Sequence, residues 1–189
     1  MDAVSLVFWA TMAVTVSLDL SLLATLVAPS LQVWPPPGRR TWQYRLVWTC
    51  FLLATIGLLI VGGLDAGSLG LQRRIGEAGS LIVGTTLFGM GTALASYAMG
   101  FLRHRAALGL ADGLTTDGPY TWSRNPGYMG DLILMVGYVI LTDSRLAGLV
   151  AASVALWFVL APLAEEPWLD DRYGEAYRRY KKAHSRWLL

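Results

Sequence analysis

The sequence predicts an all-α fold: a polytopic membrane protein of about five transmembrane helices, with a C-terminal amphipathic interfacial helix. Three observations predict it. The 189 residues are 54% hydrophobic and only 15% charged, whereas an ordinary soluble domain is roughly 45–50% apolar and about 25% charged. Five stretches approach the ~20 apolar residues that a bilayer crossing needs. The basic residues gather in alternate connections, as membrane topology orders them. A net charge of +2 is too small to imply nucleic acid, and no basic face lies outside the places topology accounts for. The single cysteine, Cys50, sits in an apolar run. Alone it makes neither an internal disulfide nor a zinc site, and no metal centre is expected.

The first span runs from about Val4 to Ala28. Met1-Asp2-Ala3 carries no Lys or Arg and the run exceeds a secretory h-region, so it reads as a retained helix. The following connection contains Trp34-Pro35-Pro36-Pro37-Gly38, whose prolines forbid a helix and stiffen the chain. The second span is about Val47–Leu64 and the third about Leu81–Leu102. A polar stretch from about Arg103 to Asn125 leads into the fourth, about Gly127–Thr142. Only Asp143-Ser144-Arg145 separates this from the fifth, about Leu146–Ala164, so the two form an antiparallel helical hairpin. In the tail, Leu169, Tyr173, Tyr177 and Tyr180 recur on one face of a basic, aromatic helix. Such a helix suits the bilayer surface and can also close a site beneath it.

With the N-terminus outside, every Lys and Arg except Arg73, Arg74 and Arg145 falls on the cytoplasmic side, Arg103, Arg105 and Arg124 among them. This bias predicts an inner (cytoplasmic) membrane protein with its C-terminus inside. The whole chain, 1–189, reads as one domain. Residues 1–102 give three spans, and 103–189 give the loop, the hairpin and the tail.

Three polar features stand out. The segment Thr116–Gly130 is dense in Gly, Pro and aromatic residues, with turns at Gly118-Pro119 and Asn125-Pro126-Gly127. It reads either as a connection with interfacial aromatics (Tyr120, Trp122, Tyr128) or as the wall of a site. Glu165-Glu166 puts adjacent carboxylates at a helix C-terminus, where the macrodipole is already negative, so cationic compensation is expected. Asp131 opens the fourth helix. It either pairs near the membrane surface or faces a cavity, since an ionisable residue within a span is costly. Asp19, within the first helix, is a further candidate for an internal polar contact.

The string Gly118-Pro119-Tyr120-x-x-x-Arg124-Asn125-Pro126-x-Tyr128-x-Gly130, then Glu165-Glu166, then Tyr173-Gly174-Glu175-x-Tyr177-x-x-Tyr180 resembles the isoprenylcysteine carboxyl methyltransferase / phospholipid methyltransferase superfamily, in order and in spacing. The resemblance covers about Ala93 to Leu188. It implies an integral membrane enzyme that uses S-adenosylmethionine. Carried over by position, the cofactor-binding residues are Tyr120, Asn125, Pro126, Gly127, Tyr128, Glu165 and Glu166, with Leu114-Thr115 aligned to a further cofactor segment. Gly89-Met90-Gly91 stands where phospholipid N-methyltransferases carry a cofactor-assigned Gly-x-Gly; close helix packing is the alternative. Arg124 is expected to pair with the cofactor carboxylate or to neutralise the glutamates. Tyrosine faces near the sulfonium would stabilise it by cation–π attraction.

Departures from the carboxyl methyltransferases bear on the acceptor. Ala161 stands four residues before the first glutamate, where those enzymes carry an arginine for the substrate carboxylate. Asn125-Pro126 replaces a His-Pro, and Pro167 follows the acid pair. Asn-Pro-x-Tyr and Glu-Glu-Pro resemble the phospholipid N-methyltransferases, and that resemblance implies a lipid or lipophilic small-molecule acceptor with an amine head group. The expected partners are membrane lipids and that acceptor, with no nucleic acid, and the chain is a monomer or homodimer. Methyl transfer needs alignment in a water-poor site more than acid–base machinery. An amine must still lose a proton, which Glu165 or Asp131 would receive, and with Arg124 as the charge partner these form the candidate catalytic set. Other readings are methylation of a prenylcysteine carboxylate or a thiol, a helical membrane subunit with a decayed site, and a nicotinamide-dependent reductase resembling the sterol reductases. The last would need more helices than this chain supplies.

Overall fold

The computed structural model describes residues 2–102, 106–110 and 113–188, so Arg103 and Arg105 of the topology argument lie outside the described residues. In chain order the helices are α1 (Ala3–Val27), α2 (Trp42–Leu64), α3 (Leu71–Ile75), α4 (Glu77–Phe101), α5 (Pro126–Thr142), α6 (Arg145–Tyr173) and α7 (Glu175–Ala183). Among the described residues there is no strand. Four helices, α1, α2, α4 and α6, are long and apolar enough to cross a membrane, and α5 is a shorter apolar helix. The chain is an integral membrane protein.

Helix ends follow caps and packing rather than hydropathy. Asp2 caps α1 by accepting from the Ser5 N–H at 2.8 Å. Thr41 caps α2, accepting from Tyr44 N–H at 3.3 Å, so the helix starts ahead of the apolar run that begins near Val47. At the other extreme α6 runs past Ala164 to Tyr173, although it carries Pro162 and Pro167. Each proline removes one backbone donor. Burial of Ala161 and Ala164 against Leu18, Leu22 and Trp34 holds the helix through them. The tail is consequently two helices rather than the single one expected. Gly174, at φ 53°, turns α6 into α7.

The main core lies between α1, α2 and α6, around Leu18, Leu22, Val47, Val154 and Trp157. α5 packs beside α6, and α4 lies outermost against α5. The α4–α5 seam is made by glycine. A Cβ on Gly91 would strike the backbone of Leu134 and Gly130, and one on Gly137 would strike Phe88 and Gly84. Small residues let membrane helices approach this closely, where apolar burial offers no driving force. Gly91 is therefore a packing glycine, while Gly89 faces open space.

The ends of the bundle differ. At the hairpin end Asp143 sits in the left-handed region at φ 50°. Its carboxylate accepts from the Leu71 and Gln72 N–H groups, at 2.7 and 3.3 Å, and so caps α3. Asp65 accepts from Ser68 and Ser144 hydroxyls, at 2.6 and 2.7 Å, and from Leu146 N–H at 2.9 Å. Asp19 makes the internal contact expected of it, accepting from the Ser153 hydroxyl at 2.8 Å.

Candidate functional site

A cavity of about 450 Å³ opens at the end opposite the hairpin, within the range of ligand pockets. Its walls come from the α1–α2 connection, α2, α4, the 106–125 loop, α5, α6 and α7. The floor toward the bundle is aromatic: Phe51 meets Trp157 edge-on at 4.7 Å, and Tyr128 lies 5.5 Å from Phe158.

The two adjacent glutamates of α6 point to different surroundings, because neighbours on a helix are about 100° apart. Glu166 is buried, and its carboxylate meets three cations. Arg124 Nη1 lies at 3.0 Å, Lys181 Nζ at 2.7 Å and Arg186 Nε at 2.7 Å. Glu165 is half-buried and lines the cavity. Its Oε1 accepts from the Trp34 indole N–H at 2.6 Å and from the Tyr128 hydroxyl. Its Oε2 has no partner among the described residues. The cationic compensation expected for the acid pair is thus gathered at Glu166, and Arg124 contributes to it. The Arg124 Nε is buried and unpartnered among the described residues.

The tail fastens the loop over this site. Arg124 N–H donates to Ser185 C=O, while the Ser123 hydroxyl and the Asn125 side-chain amide both donate to Arg186 C=O, each bond at 3.0 Å. Tyr180 donates to Tyr120 C=O at 2.7 Å. Tyr120, Tyr177 and Tyr180 are buried together with Ala98, so the tyrosine face of the tail covers the loop. Burial raises the phenol pKa values of all three, that of Tyr177 to about 12 with the Glu166 charge contributing. They stay protonated at neutral pH, with the Tyr177 hydroxyl accepting from Arg124 Nη1 at 3.3 Å. Hydrogen bonding to Glu166 raises the pKa of Arg186 further, so the latch keeps its charge. Gly118, at φ 59°, leaves no space for a Cβ against the Phe101 ring, which fixes glycine at the start of the loop turn.

Of the residues singled out in the sequence, Leu114, Thr115, Tyr120, Arg124, Asn125, Gly127, Tyr128, Asp131, Glu165 and Glu166 all line the cavity. Pro126 does not. It is buried at the first position of α5, where its missing N–H costs nothing. Asp131 lies a turn further along α5 than Tyr128's neighbour Gly127, and has no ion pair or hydrogen bond among the described residues. Sequence reasoning missed Trp34, Trp48, Phe51, Trp157 and Phe158 on the walls, and Lys181 and Arg186 as specific partners of Glu166. The rigid Trp-Pro-Pro-Pro segment was a signal for Trp34, since a stiff connection fixes whatever side chain it carries.

Membrane-crossing helices thus surround, at one end of the bundle, a cavity lined by aromatic rings and carboxylates. Residues 80–176, just over half of the chain, match the family model described as phospholipid methyltransferase, and the chain belongs to that family. It is a membrane methyltransferase by that membership. No curated protein and no solved structure matches the chain.

Proposed function

We propose that the chain, acting as one domain over its whole length, transfers a methyl group from S-adenosylmethionine to the amine head group of a lipid or lipophilic molecule. The observation that carries this reading is a pair of carboxylates in an aromatic cavity, Glu165 Oε2 and Asp131, neither of which has a cationic partner among the described residues. Such a cavity suits cations, through carboxylate hydrogen bonds and aromatic faces together.

The residues present fit S-adenosylmethionine. Glu165 offers a free oxygen to an ammonium or ribose hydroxyl. The unpartnered Arg124 Nε offers a donor to a carboxylate. Leu114, Thr115, Tyr120, Asn125, Gly127 and Tyr128 supply the surrounding wall, and Glu166 acts through Arg124. When bound, the cofactor supplies a methyl group activated on a sulfonium. The chain's part is to orient and to exclude water. The tail latch closes the loop side, and the aromatic floor keeps the interior dry. Asp131, one turn further along α5 than Gly127, lines the same cavity. There it attracts an ammonium acceptor and takes its proton.

Two further points support the acceptor and the orientation. Ala161 is buried in the core, so that position offers no cation to a substrate carboxylate. The cavity end of the bundle is also the end that the Lys and Arg bias assigns to the cytoplasm, where S-adenosylmethionine is made.

The test is calorimetric binding of S-adenosylmethionine to detergent-purified protein, beside Glu165→Ala and Tyr128→Ala. Micromolar binding by the wild type, lost in both variants, is expected. Labelled-methyl transfer to total lipids then reports the acceptor, and Asp131→Asn should lower turnover without abolishing cofactor binding. A well-folded wild type that binds nothing would overturn the proposal.

A further inference from the structure

We infer that Trp34 is a positioning residue of this site: its indole N–H holds one oxygen of Glu165 so that the other is presented to the cavity. The inference rests on the reading of the cavity as an S-adenosylmethionine site, and it adds a residue from outside the segment, 80–176, that matches the family.

A glutamate side chain at the mouth of a cavity has three rotatable bonds, and a ligand must immobilise it on binding unless the protein has already done so. Here the protein has done so. Two donors converge on the same oxygen, Oε1: the Trp34 indole at 2.6 Å and the Tyr128 hydroxyl. That leaves Oε2 without a partner among the described residues, on a side chain that lines the cavity. Hydrogen bonds to a carboxylate of this length are the strong, charge-assisted kind.

Trp34 is itself fixed from several directions. It is 6% exposed. Its ring packs edge-on against Trp157 at 5.0 Å, and Gly109 on the loop after α4 lies so close to the ring that a Cβ would collide with it. Its backbone N–H and that of Val33 both donate to Thr25 Oγ1 on α1, at 3.3 and 3.0 Å. A chain of contacts therefore runs from α1 through Thr25 and Trp34 to Glu165. The hydrogen bond is not a by-product of packing tryptophan into a wall. Trp48 and Trp157 line the same cavity, and their buried indole N–H groups have no partner among the described residues.

Trp34→Phe keeps an aromatic ring and removes the donor. S-adenosylmethionine affinity, measured by calorimetry, should fall about tenfold, the usual scale for losing one charge-assisted hydrogen bond. Thr25→Val, which frees the backbone of Trp34, should lower it by a smaller factor and serves if Trp34→Phe does not fold. A ligand-free readout separates positioning from packing. With ¹⁵N-labelled tryptophan, the indole resonance that disappears in Trp34→Phe should lie downfield of the others and move on Glu165→Gln. An indole that ignores Glu165→Gln, or a folded Trp34→Phe that binds like the wild type, overturns the inference alone. A wild type that binds no S-adenosylmethionine overturns the cofactor reading, and the positioning role with it.

Discussion

At the hairpin end, Asp65 and Asp143 are surrounded by donors from their own neighbourhood. Hydroxyls of Ser68 and Ser144 and the Leu146 N–H converge on Asp65 Oδ2, and the N–H groups of Leu71 and Gln72 take the two oxygens of Asp143. At the cavity end, Glu166 is likewise consumed, by Arg124, Lys181 and Arg186. Glu165, next to it in sequence, keeps one oxygen back beside a cavity of about 450 Å³. The comparison teaches that an acid in a membrane bundle is read from where its oxygens go, not from its presence. Three of these four acids hold elements together, and the fourth has an oxygen without a partner among the described residues on a side chain that lines the cavity.

Substitutions at the adjacent glutamates should separate the two behaviours most widely. Glu166→Ala leaves the nine-tenths buried Arg124 without its counter-charge and should cost about 3–5 kcal/mol of stability, as breaking a buried pair does. Thermal unfolding in detergent measures it. Glu165→Gln retains an acceptor for Trp34 and Tyr128 and should leave stability within about 1 kcal/mol. The same change should lower methyl transfer at sub-saturating S-adenosylmethionine about tenfold, the scale of exchanging one charge-assisted hydrogen bond to the cofactor for a neutral one. Equal effects of the two variants on stability would erase the distinction.

Hydropathy made the membrane class and four of the long helices legible, because it averages over about 20 residues and tolerates local error. It misplaced the start of α2 and the end of α6, since those are set by a Thr41 cap and by packing of Ala161 and Ala164. The loop motif and the acid pair were legible as local strings. What Arg124 does was left between two partners, because a string does not say that Glu166 faces the tail while Glu165 faces the cavity. Trp34 was illegible as a site residue for a different reason: its partner lies 131 residues away in sequence. Contacts of that range exist only once the helices have packed.

A smaller effect is expected at the hairpin end. Asp143→Ala removes the acceptor for the first two N–H groups of α3 and places alanine in the left-handed region. Loss of such a cap costs about 1 kcal/mol, and the conformation adds roughly 1–2 kcal/mol. Unfolding should register both. Cofactor affinity at the other end should be unchanged within about twofold, because changes at distant sites with no shared partners act independently. A larger loss of affinity would show that the two ends are coupled.

The smallest effect is a pH dependence confined to Asp65. Burial works to raise its carboxyl pKa, but hydrogen bonds from Ser68, the Leu146 N–H and Ser144, with the Arg145 charge, outweigh it and hold the value below the ordinary 3.8. A folded-state value below the unfolded one means that the ionised form stabilises the fold. The contribution is therefore complete above the unfolded value and disappears as pH falls through the folded one. Asp65→Asn should lower the unfolding midpoint slightly at neutral pH, and the gap between wild type and variant should narrow as pH falls below the ordinary value of 3.8. Methyl transfer at neutral pH should be unaltered by Asp65→Asn, since no cavity residue touches this carboxylate. If that substitution instead depressed transfer as Glu165→Gln does, the division between a structural end and a working end would fail.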